Sequence, residues 1–395
     1  MQWDQKTYRL SQPGSFGRWA LYVGLLGLLL CVVGYLLDAP RFFHAYLTAF
    51  VFFVSIGLGA LFFTMLHHLV GAKWSVVVRR IAENLMMALP LMGAFFLPLL
   101  FGMHILFEWT HADVVAADPI LQNKAAYLNT IFFIIRTIIY FTVWSLLARS
   151  LYRTSLQQDA GNTPEIVAKL KRVSGFGVVL FAFTVSGAAF DWLMSLDPHW
   201  YSTIFAVNYF GSSFVAALAV VILMLIALQR GGALRGIVTV EHYHDLGKLM
   251  FAFIIFWGYT AFSQYLLIWY GNIPEETVWY LNRWQGSWKT VTLIIVYGHF
   301  VIPFLVMLFR AAKRNLLPLG AIAIWMLAVH WINMYWLVYP SFLKDGATFS
   351  WMDPVAVMAI GGVFFWYVWS TLAARPLVPV ADPKLRASIT HVNTF

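Results

Sequence analysis

The sequence predicts an all-α polytopic membrane protein with about ten transmembrane helices, on three observations. Of the 395 residues, 61% are hydrophobic and only 11% charged, roughly half the charged share that a soluble domain needs to cover its surface. The apolar residues gather in long continuous runs rather than alternating, which argues for helices and against membrane strands. Lys and Arg concentrate on every second connecting segment, as multi-pass topology requires.

A bilayer core takes about 20 apolar residues per helix. Ten runs meet this length, at 17–37, 42–69, 82–106, 126–149, 173–195, 202–229, 248–270, 288–310, 315–338 and 352–373. They form one integral-membrane domain, 17–373, between a polar N-terminal arm, 1–16, and a C-terminal tail, 374–395. No cleavable leader is expected, because a polar arm precedes the long first run. The longest connections, 107–125 and 150–172, are too short for a soluble domain. Asp197-Pro198-His199 reads as a tight turn between the fifth and sixth spans, where proline stops the helix.

With the N-terminus placed in the cytoplasm, 20 of the 26 Lys and Arg fall inside, beginning with Lys6, Arg9 and Arg18. Five fall outside (Arg41, Lys124, Arg283, Lys289 and Lys344), and Arg136 lies within a span. Both termini are therefore expected in the cytoplasm, and the net charge of +9 reads as a topology signal rather than a nucleic-acid footprint. The single cysteine, Cys31, sits in an apolar run and reads as a buried small hydrophobe. It excludes a disulfide framework and a cysteine-ligated zinc or iron–sulfur centre. No phosphate loop, dinucleotide fingerprint or nucleophile elbow is present.

Chemistry is then sought in polar residues placed where polarity is costly. Arg136, in "IFFIIRTIIY", is expected about ten residues into its span; it needs a carboxylate, carbonyls or water. Asp191 lies about four residues from the outer end of the fifth span and is open to two readings, a proton acceptor or half of a buried pair with Arg136. His199 follows it in the turn. On the inner side, Arg79 and Glu83 are spaced as a helical pair, as are Asp245 and Lys248. Glu83, Arg136, Asp191, His199, Asp245 and Lys248 make up a candidate proton path. Gln264, Tyr270, Glu275, Glu276 and Arg283, at the outer end of the seventh span, offer polar groups among aromatics, as a quinone ring requires. His104, His299 and His330 raise the question of haem; without a repeated spacing, hydrogen-bonded core histidines or members of a proton wire fit them better.

Two stretches, "FDWLMSLDPHWYSTIF" (190–205) and "HDLGKLMFAFIIFWGYTAFSQYLLIWYGNIPEET" (244–277), resemble the integral-membrane subunits of bacterial alternative complex III. These belong with the NrfD/PsrC quinol-oxidising membrane proteins, and the short N-terminal arm is similar to the F subunit more than to its sister C subunit. The resemblance implies two four-helix bundles, spans 2–5 and 6–9, flanked by spans 1 and 10. It implies a bacterial inner-membrane complex that oxidises quinol, such as menaquinol. The expected partners are the C subunit, an iron–sulfur B subunit, haem c subunits, small membrane subunits and lipids, with no redox centre in this chain. The alternatives are a purely structural subunit of that complex and a stand-alone secondary transporter, for which Pro90, Pro98 and Pro303 are the candidate helix breaks.

Overall fold

The computed structural model describes residues 8–10 and 14–393, and Lys6 of the charge count lies outside them. Ten helices are long and apolar enough to cross a membrane: α1 (Phe16–Leu37), α2 (Ala39–Leu69), α3 (Val76–Phe101), α4 (Thr130–Ala160), α5 (Pro164–Leu196), α6 (Phe205–Arg230), α7 (Val240–Gly271), α8 (Trp288–Leu308), α9 (Leu316–Ser341) and α10 (Met352–Ala374). No strand occurs among the described residues. The chain is an all-α, multi-pass membrane protein by architecture, since a spanning helix satisfies its own backbone groups in lipid.

Helix ends follow local chemistry. Asp38 caps α2 by accepting from the Arg41 amide, Asn129 caps α4 through the Phe132 amide, and Thr163 caps α5 with Pro164 in the first turn. At α7, Thr239 and His242 form a reciprocal capping box. The expected boundary of α4 moves from 126 to Thr130 because residues up to Asn129 form its turn and cap. The expected 150–172 loop does not exist: α4 runs to Ala160, α5 starts at Pro164, and only residues 161–163 connect them. Both helices continue past the apolar zone, where charged side chains can reach water.

Two spans are interrupted. In α3 a turn at Met87–Ala88 separates Val76–Met86 from Leu89–Phe101, with Pro90 in the first turn of the second piece. In α8, residues Val296–Val301 form a π-helical segment. Pro303 supplies a reason, since it has no amide to offer the His299 carbonyl four residues back and its ring crowds that carbonyl.

Helices α2, α3, α4 and α5 contact one another in a ring, and so do α6, α7, α8 and α9, giving two four-helix bundles. Between them α2 packs on α6, and these are the most enclosed spans, with 89% and 83% of their apolar windows buried against 22% for α1. A Cβ on Gly59 of α2 would stand 2.4 Å from the Ser213 carbonyl oxygen of α6, so the central pair meets backbone to backbone. Outside the bundles α1 lies along α10 with equally close approaches at Gly24, Gly27 and Gly362. The Leu377 amide donates to the Tyr8 carbonyl at 2.8 Å, which puts the described segments before α1 and after α10 on one face. It is called the terminal face below, and its opposite the distal face.

Candidate functional site

Near the distal face, Asp191 on α5 is fully buried and receives Arg136 of α4 side-on. Nε donates to Oδ2 at 2.8 Å and Nη2 to Oδ1 at 2.9 Å, while the Tyr140 hydroxyl adds a third donor at 2.8 Å. Arg136 also donates to the Tyr127 carbonyl at 2.8 Å and stacks on the Tyr127 and Phe132 rings. Burial, with Asp191 next in weight, pushes the Tyr127 phenol up to about 12. The mismatch of depth that the sequence suggested disappears because α4 begins four residues later than expected, leaving Arg136 only six residues from its start. Of the two readings of Asp191, the geometry is that of the buried pair, with both carboxylate oxygens engaged.

His199 does not face Asp191. Its Nε2 lies 2.5 Å from Oδ2 of Asp118, in the distal loop, and the His199 side chain is about half exposed. That contact leads the causes that hold the Asp118 carboxyl below its ordinary value.

The five quinone-pocket candidates divide. Gln264 is buried, accepts from Ser202 at 3.2 Å and donates to the Tyr280 hydroxyl at 3.0 Å. Arg283 is buried against the face of Trp279, 3.7 Å from its centroid, and reaches Asp197 at 3.3 Å. Burial draws Arg283 down to about 10, opposed by Asp197, so it stays charged at neutral pH. Trp200 stacks on the same Trp279 at 4.3 Å. Gln264 and Arg283 thus share one aromatic cluster, whereas Tyr270 is 84% exposed and Glu275 and Glu276 open a short distal helix, Pro274–Asn282. A further distal pair escaped the sequence reading. Arg41 meets Asp353 at 3.0 Å, and Asp353 also accepts a hydrogen bond from Tyr339.

On the terminal face, Glu83 lies between two arginines. Arg79 Nε donates to Oε1 at 3.0 Å, Ser155 donates to Oε2 at 2.8 Å, and Arg80 Nε is paired at 3.1 Å without an aligned hydrogen bond. Arg80 forks onto Asp159, both contacts 3.0 Å, and Arg79 reaches Asp382 at 3.1 Å. Three carboxylates therefore share two guanidiniums. Asp245 takes Lys248 at 2.6 Å and His391 at 2.7 Å. Asp382 and His391 belong to the C-terminal tail, which also anchors Ser388 to the Trp74 carbonyl and Asn393 to Glu241. The two helical pairs expected from spacing are present. The tail's part in both clusters carried no signal, because sequence separations near 150 and 300 residues leave no pattern.

Between these layers, about halfway along α8 and α9, His299 and His330 are fully buried. His299 sits in the π segment of α8, stacked on Trp257 of α7 at 3.9 Å, and neither of its ring nitrogens has a hydrogen-bond partner. His330 on α9 meets the Ser55 hydroxyl of α2 at 2.8 Å through Nε2, while its Nδ1 and the Asn333 amide one turn on are also unpartnered. Unpartnered buried polar atoms are costly, about 1–3 kcal/mol each, and π bulges recur at functional sites. His104, the third histidine considered, stacks on His111 in the distal loop at 3.7 Å.

Compared with known protein families and with characterised proteins, the chain finds no match.

Proposed function

We propose that this chain is an integral-membrane subunit of a bacterial quinol:electron-acceptor oxidoreductase of the alternative complex III type, and that it handles protons rather than electrons. The observation carrying the proton role is the mid-span pair. His299 and His330 present three unpartnered ring nitrogens between polar layers on both faces. A neutral imidazole both donates and accepts, so it can relay a proton where no carboxylate would stay charged. The terminal layer, with Glu83, Asp245, Lys248 and one carboxylate more than guanidiniums, is suited to proton exchange with the cytoplasm. The redox setting rests on the resemblance of 190–205 and 244–277, together with the two-bundle architecture that it implies.

In this reading the terminal face is cytoplasmic, in the inner membrane. Haem c and iron–sulfur clusters belong to partner subunits, and menaquinol or a related quinol is oxidised chiefly beside the sister C subunit. Gln264 and Arg283 already hold protein partners, which favours a structural part for them, and the closed Arg136–Asp191 pair favours the same for Asp191.

Extraction from the native membrane tests the setting: the chain should emerge with haem-bearing partners, and its emergence alone would overturn the complex. Reconstitution tests the role. His299→Phe and His330→Phe should lower protons moved per electron while quinol oxidation continues; an unchanged ratio in both variants would overturn the proton route.

A further inference from the structure

A groove of about 500 Å³ runs between α3 and α4 on the outward surface of the first bundle. It exists because α3 is broken at Met87–Ala88 and because Gly93 offers no side chain; a Cβ there would meet only the Phe141 ring, at 3.4 Å. Along α4 its lining recurs every three or four residues, Ile134, Ile138, Ser145 and Arg149 among them, which is one helical stripe. Arg153 continues that stripe by one more turn. Arg149 and Arg153 are exposed, and neither pairs with another described residue. Arg41, Arg79, Arg80, Arg136 and Arg283, by contrast, each hold a carboxylate.

We propose that this groove binds an anionic phospholipid, with the phosphate held by Arg149 and Arg153 and one acyl chain lying between α3 and α4. Guanidiniums four residues apart on a helix are neighbours, and each matches phosphate oxygens as a fork. At the membrane boundary two unpaired cations above an apolar channel call for an anion with an oily tail. From Arg149 to Ile134 the channel is about 22 Å long at 1.5 Å per residue, most of a hydrocarbon core of about 30 Å. A quinone ring, being neutral, offers the two guanidiniums no ionic partner. The site is independent of the quinol reading.

The test is lipid retention by the purified full chain, measured by mass spectrometry after detergent washing, with phosphatidylglycerol and phosphatidylcholine added back. About one anionic phospholipid per chain should remain, and phosphatidylcholine should not replace it. Arg149→Gln with Arg153→Gln should reduce retention at least tenfold, and Gly93→Leu, which fills the groove and leaves the charges, should reduce it comparably. Size-exclusion profiles of the three proteins report whether each is folded, and either variant alone is a sufficient test. Equal retention of phosphatidylglycerol by the wild type and either folded variant would overturn the site. So would equal retention of phosphatidylcholine, or a retained quinone displaced by Gly93→Leu alone.

Discussion

Arg136 and Asp191 come from helices joined through a turn of three residues, yet they meet 55 positions apart in sequence, with two parallel hydrogen bonds of 2.8 and 2.9 Å. Each removes the other's reason to be costly in the membrane. Breaking such a pair strands a buried charge, whereas removing both charges does not. Asp191→Leu and Arg136→Leu should each destabilise by about 3–5 kcal/mol, and the two combined by much less than their sum. A double-mutant cycle of unfolding midpoints in detergent measures this. Additive losses would mean that the pair is not coupled.

The mid-span histidines should behave in the opposite way. His299 has two ring nitrogens with no partner, so His299→Phe removes a desolvation cost while keeping the stack on Trp257. Thermal stability should hold or rise by about 1 kcal/mol as proton transfer falls. A core histidine kept for packing alone would show no such trade.

The tail is expected to stabilise the terminal face. Asp382→Asn loses the charge that faces Arg79, and truncation after Ala374 removes the partners of Arg79, Trp74 and Asp245 together. The single substitution should cost about 1–3 kcal/mol. Truncation should speed amide exchange over residues 70–80, read by mass spectrometry; unchanged protection would show that the tail only rests on this face.

In the distal loop the contribution of Asp118 depends on pH. Its carboxyl is held below the ordinary 3.8 by His199 first and by the Ile120 and Leu121 amides that it caps. A depressed carboxylate stabilises the fold above its unfolded value and loses that contribution as pH falls through the folded one. Amide exchange at Ile120 and Leu121, corrected for its intrinsic pH dependence, should therefore accelerate below about pH 4. In Asp118→Asn the protection should be lower at neutral pH and independent of acid.

How much of this was legible in advance varies with the range of the interaction. The pairs Arg79–Glu83 and Asp245–Lys248 were readable from spacing, because neighbours on one helix turn must meet. Asp159 and Asp382 were not, although they complete the same cluster; nothing local links residue 80 to 159 or 79 to 382. The depth of Arg136 was misread by four residues, since an apolar run does not reveal that Asn129 turns back to cap the helix. Pro303 was visible as a helix break, but the unpartnered imidazole that its π segment carries was not.

The sequence by itself determined ten spans, their helical nature and the asymmetry of charge across them, because lipid imposes length and hydropathy on every segment that crosses it. Tertiary structure alone decided which charges neutralise one another, that the tail binds both bundles, and that His299 and His330 are buried in the interior with unpartnered ring nitrogens. Those outcomes depend on which helix faces which, and that is set by close contacts such as Gly59 against Ser213, where packing rather than hydropathy selects the neighbour.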